Sequence, residues 1–283
     1  MRALDDKLKL ITGSMNSMRL NITHTTSYKY DGPVDYGLQQ LRLTPKSHNG
    51  QNVVSWATRV VGGTSQLKFE DSHMNTVELI SFDEAVTEVQ VHCEGVVEVN
   101  DNGGVLGRHS GFMPLWMFQR TTELTKPGPL SRKLAKSIDQ SLPALDQLHA
   151  LSHEILNRVT YGVGQTDSSF NAETALELGH GVCQDHTHIF LACARLLGHP
   201  ARYVSGYLMM NDRVEQDATH AWAEAYVENL GWVGFDVSNG ISPDSRYVRV
   251  ATGLDYSEAA PVSGTRFGSA VEQLNVAVQV QQQ

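Results

Sequence analysis

From Val86 to Val99 the chain alternates apolar and polar residues. Val89, Val91, Cys93, Val97 and Val99 fall on one face, and Glu88, Gln90, His92, Glu94 and Glu98 on the other. A period of two over that length fits a strand and not a helix. One apolar and one wet face is the pattern of an antiparallel sheet with one side in solvent. The same period runs through Ile22, His24, Thr26, Tyr28 and Tyr30, until Gly32-Pro33 breaks it. Strand-like LQQLRLTP and VVSWATRVV follow, the second closed by Gly62-Gly63. Residues 18–125 therefore read as an antiparallel β domain, behind a flexible leader over residues 1–17.

The punctuation changes at Lys126-Pro127-Gly128-Pro129. SRKLAKSIDQ reads as a short helix. Pro143 heads a second, in which Leu145, Leu148, Ile155, Leu156 and Val159 make a stripe at helical spacing. TYGVGQTDSSFN reads as a polar loop, and AETALEL as a helix stopped by Gly179. A further helix runs from Cys183 to Gly198, with Pro200 just beyond. After Pro200 the period returns to strands. Asn229-Leu230-Gly231 between aromatic-rich runs signals a hairpin. The fold class expected is α+β: an N-terminal antiparallel β domain, then a mixed core over residues 126–258. Residues 259–283 are small and polar, and are expected to form a partly frayed tail.

Several functions are disfavoured before any site is sought. Lys+Arg 22 against Asp+Glu 31 gives a net charge of −9, with no basic run, so a nucleic-acid partner is not expected. No apolar stretch reaches the ~18 residues of a membrane span. Three cysteines do not make a disulfide framework, and residues 1–10 carry no apolar signal core, so a cytoplasmic setting is expected. GxxxxGK[ST], GxGxxG, HExxH and GxSxG are all absent, and no cofactor is implied.

Chemistry is concentrated in HGVCQDHTH. Cys183 stands in the first turn of a helix, where unpaired N–H groups and the helix dipole favour an anion such as a thiolate. Gly181 lets backbone approach the sulfur and a substrate carbonyl. Cys193 and Cys93, among apolar neighbours, read as core packing. His220 and Asp236 lie on the two arms of one hairpin. A turn centred on Glu228 sets them directly opposite, ~4.5–5.5 Å apart at Cβ. A tighter turn at Asn229-Leu230 offsets them along the strands by roughly 10 Å. In the first register the carboxylate holds imidazole Nδ1–H and leaves Nε2 for the thiol. Two other readings stay open. His180, Cys183, His186 and His188 could join a zinc site with ligands from afar, such as His199 or His220. The same fold could also be a non-catalytic binding module.

The segments GHGVCQDHTHIF, THAWAEAYVE and GWVGFD resemble the three motifs of the bacterial transglutaminase-like superfamily. The run from MRLNITHTTSYKY to DSHMNTVELISF resembles the β domain that precedes that core. The resemblance implies a papain-like transglutaminase core and a triad of Cys183 as nucleophile, His220 as general base and acid, and Asp236 as orienting carboxylate. Trp222 and Trp232 match aromatics expected beside the triad, where with Gly181 they would contact substrate. Where the family commonly continues with Pro-Thr, this chain has Val237-Ser238-Asn239. The implied partner is a peptide or protein amide, with an amine acceptor where transamidation replaces hydrolysis.

Overall fold

The computed structural model describes residues 17–162 and 170–283. The leader, apart from Ser17, and the centre of the polar loop at 163–169 lie outside the described residues. Six strands come first: β1 (Ser17–Val34), β2 (Tyr36–Thr44), β3 (Gln51–Val61), β4 (Gly63–Glu70), β5 (Thr76–Phe82) and β6 (Val86–Asn100). The short β7 (Val105–Gly107) precedes helices α1 (Pro129–Ser137) and α2 (Ala144–Arg158). Two-residue β8 (Thr160–Tyr161) leads to α3 (Ala172–Leu178), two-residue β9 (His180–Gly181) and α4 (Cys183–Leu196). Then come β10 (Ala201–Leu208), β11 (Glu215–Gln216), β12 (His220–Val227), β13 (Gly231–Phe235) and β14 (Tyr247–Gly253). The chain closes with α5 (Tyr256–Ala259), β15 (Val262–Phe267) and β16 (Glu272–Gln282).

Three antiparallel sheets carry the architecture. The first has the order β11-β16-β1-β6-β3, the second β15-β2-β5-β4, and the third β14-β10-β12-β13-β7. The first sheet is a platform for the other two. At one end Tyr28, Tyr30, Val89, Val91 and Cys93 pack against Leu41, Leu43, Ile80 and Phe82 of the second sheet. Further along the same face, Leu20, Ile22, Val97 and Val99 pack against Tyr207, Val248 and Val250 of the third. Spanning two sheets needs long strands. β1 has 18 residues and β6 has 15, against a usual length of about 5–6. The opposite face of β6, with Glu88 and Glu94, meets solvent, as the alternation predicts.

The third sheet is covered on both sides. Its far face, with Ala221, Ala223, Ala225, Val227 and Phe235, packs on Ile189, Phe190 and Cys193 of α4. Alanines at alternate positions of β12 leave room for the helix to approach closely. Phe190 and Phe235 stack with ring centroids 5.1 Å apart. Helix boundaries follow the sequence signals. Pro143 caps α2, and Gly179 ends α3 in the left-handed region at φ 68.

Two expectations about domain extent fail. Residues 259–283 do not fray. β15 pairs with β2 from Val262↔Leu41 to Phe267↔Tyr36, and β16 pairs with β1 from Leu20↔Gln282 to Tyr30↔Glu272. The tail returns to the N-terminal sheets and satisfies two edges that would otherwise be bare. Its period-two face, Val276, Val278 and Val280, was diluted by glutamines and gave a weak signal. Residues 105–107 likewise leave the β domain, since β7 pairs with β13 and extends the third sheet. The β sandwich is thus assembled from both ends of the chain.

Candidate active site

Cys183 opens α4, with Val182 as the residue before it. The backbone N–H of Val182 donates to Asp185 Oδ2 at 2.8 Å, closing the first turn. Asp185 is 1% exposed, so this cap is held inside the protein. The requirement for glycine at 181 follows from it. A Cβ there would lie 2.7 Å from Asp185 Cβ and 2.8 Å from its Oδ2. The glycine at 181 thus leaves room for the capping carboxylate.

β12 and β13 pair with Ala223 opposite Phe235 and Val227 opposite Gly231. The turn centres on Asn229, with Asn229 and Gly231 in the left-handed region at φ 68 and 88. This register lies between the two considered from sequence. Asp236 extends β13 to the level of Trp222, so His220 is its diagonal neighbour, two residues along on the same face. Diagonal pairs stand about 7–8 Å apart at Cα, within reach of long side chains. His220 Nε2 and Asp236 Oδ2 are 2.6 Å apart. The ring is turned the other way from expectation: Nε2 engages the carboxylate, leaving Nδ1 as the nitrogen for sulfur. Cys183 stands close enough to the same imidazole to interact with it electrostatically and favour its charged form.

Burial alone would lower the His220 pKa. The Asp236 carboxylate and Cys183 outweigh it and push the ring up to about 10. Burial alone would raise Asp236. The His220 charge, with donors from His220, Asn239 and Tyr247, holds its carboxyl below the usual range. Asp236 is fully buried and accepts four hydrogen bonds. Besides His220, Tyr247 Oη donates to Oδ2 at 2.7 Å, Asn239 Nδ2 to Oδ2 at 2.7 Å, and Asn239 N to Oδ1 at 3.2 Å. Burial and the adjacent Asp236 charge raise the Tyr247 pKa far above its ordinary value, so it stays a donor.

Asn239 and Tyr247 were not singled out from the sequence. Asn239 had a local signal, an Asp-x-x-Asn spacing in which the downstream residue folds back on the carboxylate. Tyr247 had none, because β14 reaches Asp236 only through sheet packing. Asp236 also exchanges backbone hydrogen bonds with Ile241, at 2.8 and 3.2 Å. The segment Val237-Ser238-Asn239 is therefore a tight turn folded against Asp236.

The two tryptophans part company. Trp222 lies against the His220 ring, centroids 6.2 Å apart and planes at 29°. It meets Tyr247 edge-on at 5.4 Å and is 2% exposed, so it is a packed wall rather than an open surface. Trp232 is not beside Asp236. It pairs with Tyr226, four residues back along β13, which is roughly 13 Å at 3.3 Å per residue. Its ring carries the Arg202 guanidinium at 3.9 Å, and its indole N–H donates to His109 Nδ1 at 3.1 Å. Arg202 and Arg249 both bond the fully buried Glu224, at 2.6 and 2.9 Å.

The histidines of a zinc reading have other uses. His186 Nε2 donates to the Val159 carbonyl at 3.0 Å, so its Nδ1, 2.8 Å from Ser238 Oγ, accepts. Burial lowers its pKa and keeps it neutral. His188 Nε2 accepts from the Tyr256 N–H at 3.3 Å, and burial takes its pKa down to about 4. His186 thus ties α4 to the end of α2 and to the turn after Asp236. Among the described residues, no group of three or more His, Cys, Asp or Glu is arranged to hold a metal ion.

A cysteine at a helix tip, an imidazole on a buried sheet and a carboxylate behind it are the parts of a cysteine-type enzyme. The chain carries a transglutaminase-like core behind a bacterial transglutaminase-like N-terminal region. The model of the transglutaminase-like superfamily matches residues 132–237, and the bacterial transglutaminase-like N-terminal region matches residues 20–98. The chain is similar to the crystal structure of a "Putative Cysteine Protease" from Cytophaga hutchinsonii, with a TM-score of 0.77 and 22% identity over 94% of this chain and 91% of that one. That likeness shows the fold over both regions. Two mycobacterial proteins are similar across nearly the whole chain. ML0607 of Mycobacterium leprae is 26% identical over 275 residues, covering 93% of this chain and 98% of its own. Rv2569c of Mycobacterium tuberculosis is 27% identical over 274 residues, covering 87% of each. Among the described residues no helix is long and apolar enough to cross a membrane.

Proposed function

We propose that the protein cleaves peptide or isopeptide amides by thiol-dependent acyl transfer. Cys183 is the nucleophile, His220 the general base and acid, and Asp236 the carboxylate that orients the ring and supports its charge. The observation that carries this reading is the His220 imidazole, bonded to Asp236 at 2.6 Å and within electrostatic reach of Cys183.

The sulfur of Cys183 attacks the amide carbonyl as the anion of a thiolate–imidazolium pair, its proton already held on His220 Nδ1. The Cys183 backbone N–H, free of an intrahelical acceptor at the helix start, supplies an oxyanion donor. The C–N bond then breaks, the amine leaves with the His220 proton, and a thioester remains. Water, deprotonated by the same ring, cleaves the thioester to release a carboxylic acid and regenerate the thiol. A primary amine in place of water would give transamidation by the same steps. The three cysteines are free, which supports a reducing, cytoplasmic setting.

Incubation with a peptide library, followed by intact-protein mass spectrometry with and without a primary amine, tests the reading. The expected result is an acyl adduct on Cys183 that water discharges. Discharge only when amine is added would move the assignment to transamidation. No adduct and no turnover across the library would refute it in favour of a binding module.

A further inference from the structure

Along β4 the two rows of side chains stand the opposite way from expectation. Glu78 of β5 is buried and alternates with Ile80 and Phe82 of the sandwich core. Lys68 of β4 meets Glu78 at 2.9 Å, so it lies on the inner side of the second sheet. Leu67 and Phe69 therefore point outward, where they are 48 and 42% exposed. β2 repeats the exchange at its start. Gly37 lies inward against the Phe82 ring, and Tyr36 and Leu38 face outward. A sheet buried on one face keeps its apolar row inside, and a slip of one residue would exchange the rows. The second sheet instead carries apolar residues on both faces.

The outer apolar residues are continuous. Leu67 pairs with Leu79, whose diagonal neighbour is Leu38. Tyr36 follows two residues along β2 from Leu38 and pairs with Phe267 of β15. The stripe crosses all four strands, from Phe69 at one corner of the sheet to Phe267 at the opposite corner. Tyr36 is 55% and Phe267 76% exposed. Together the exposed parts leave on the order of 400 Å² of apolar surface in water. Beside the stripe stand Gln40, Ser81, Ser263 and Thr265, and Arg42 at its margin is paired with Asp71.

The occupant that fits is a second copy of this chain. Four strands of 6–9 residues make a face of roughly 19 by 25 Å, from spacings of about 4.8 Å between strands and 3.3 Å along them. A corrugated side-chain surface exceeds its plan area, so two such faces stacked bury about the 800 Å² per partner of a standard interface. The net charge of −9 opposes self-association over most of the surface, and this face, whose one guanidinium is paired, adds nothing to that repulsion. A two-fold axis crossing the middle of the stripe lays the Tyr36–Phe267 end of one protomer over the Leu67–Phe69 end of its partner.

We infer that two copies of this chain associate through the outer faces of their second sheets, joined along the stripe from Phe69 to Phe267. Cys183 and His220 belong to the third sheet and its helix, so the association is independent of the acyl-transfer reading and would stand without it.

Sedimentation velocity of the full chain from about 1 to 200 µM, a range spanning micromolar affinities, tests this. The expected result is a concentration-dependent passage from the 31.2 kDa chain to twice that mass. Leu67→Lys and, separately, Tyr36→Lys put charge at opposite ends of the stripe, and each should raise the dissociation constant at least about 100-fold. Both side chains are about half-exposed in the single chain, so unfolding midpoints at low concentration should stay within about 3 °C of native. Phe112→Lys, on an equally exposed aromatic off this face, should leave the dimer intact. A chain that stays monomeric at the highest concentration would overturn the proposal. So would a dimer unweakened in both Leu67→Lys and Tyr36→Lys, or a monomer that co-sediments with neutral phosphatidylcholine vesicles, which would give the face to a lipid surface.

Discussion

Asp236→Asn separates the electrostatic role of the carboxylate from its shape. In the native protein His220 is held protonated well above its unfolded value of about 6.5. A group raised on folding contributes stability that is complete below its unfolded pKa. That contribution is lost as pH rises through the folded value, here about 10. Between those limits the unfolded ring holds no proton and the folded ring holds one. The slope from this group is therefore one proton, or about 1.4 kcal/mol of stability lost per pH unit. Asparagine removes the charge, and burial then dominates and lowers the ring's pKa. The one-proton slope should vanish in the variant. From pH 7 to pH 9 the native protein should lose about 3 kcal/mol more stability than Asp236→Asn, the remaining ionisations being common to both. The variant should be the less stable of the two at pH 7, since its amide N–H₂ also opposes one of the donors that now meet Asp236. Urea unfolding midpoints at pH 7, 8 and 9 measure this. Parallel curves for the two proteins over that range would refute the argument that Asp236 holds His220 as a cation.

Cys183→Ala should abolish amide turnover while leaving the unfolding midpoint within about 1 kcal/mol of native, because the residue is partly exposed and small. Any residual turnover above background would remove the thiol from the mechanism. Tyr247→Phe deletes a 2.7 Å donor to a buried carboxylate and should cost about 1.5–3 kcal/mol, with kcat lowered more than KM is changed. Glu224→Ala leaves two guanidinium groups facing each other without their carboxylate, and should destabilise by about 3–5 kcal/mol in chemical denaturation. Deleting residues 262–283 strips β15 and β16 from two sheets and should give a protein that exposes apolar surface to a hydrophobic dye or fails to fold.

Alternation in β6 and helical spacing in α2 were legible because each element shows its periodicity within its own sequence. Cys183 at the head of α4 was legible for the same reason, as a residue placed by a local start signal. The glycine at 181 and the Asn229-Leu230-Gly231 hairpin were visible as motifs. Their consequences were not, because each depends on a distance. A register shift of only one or two residues separates the hairpin alternatives from the one that forms.

The sequence by itself determined the order and type of most elements, and which residues have the chemistry to move an acyl group. Both are properties of short stretches of chain. Only the tertiary structure decided that β16 pairs with β1 across the whole length of the protein, and that Tyr247 and Asn239 meet Asp236. It also decided which imidazole nitrogen faces the carboxylate, and that Trp232 packs under Arg202 instead. These outcomes are set by packing between residues far apart in sequence. Such packing depends on shape and buried polar partners, and it leaves no periodic trace in the amino-acid order.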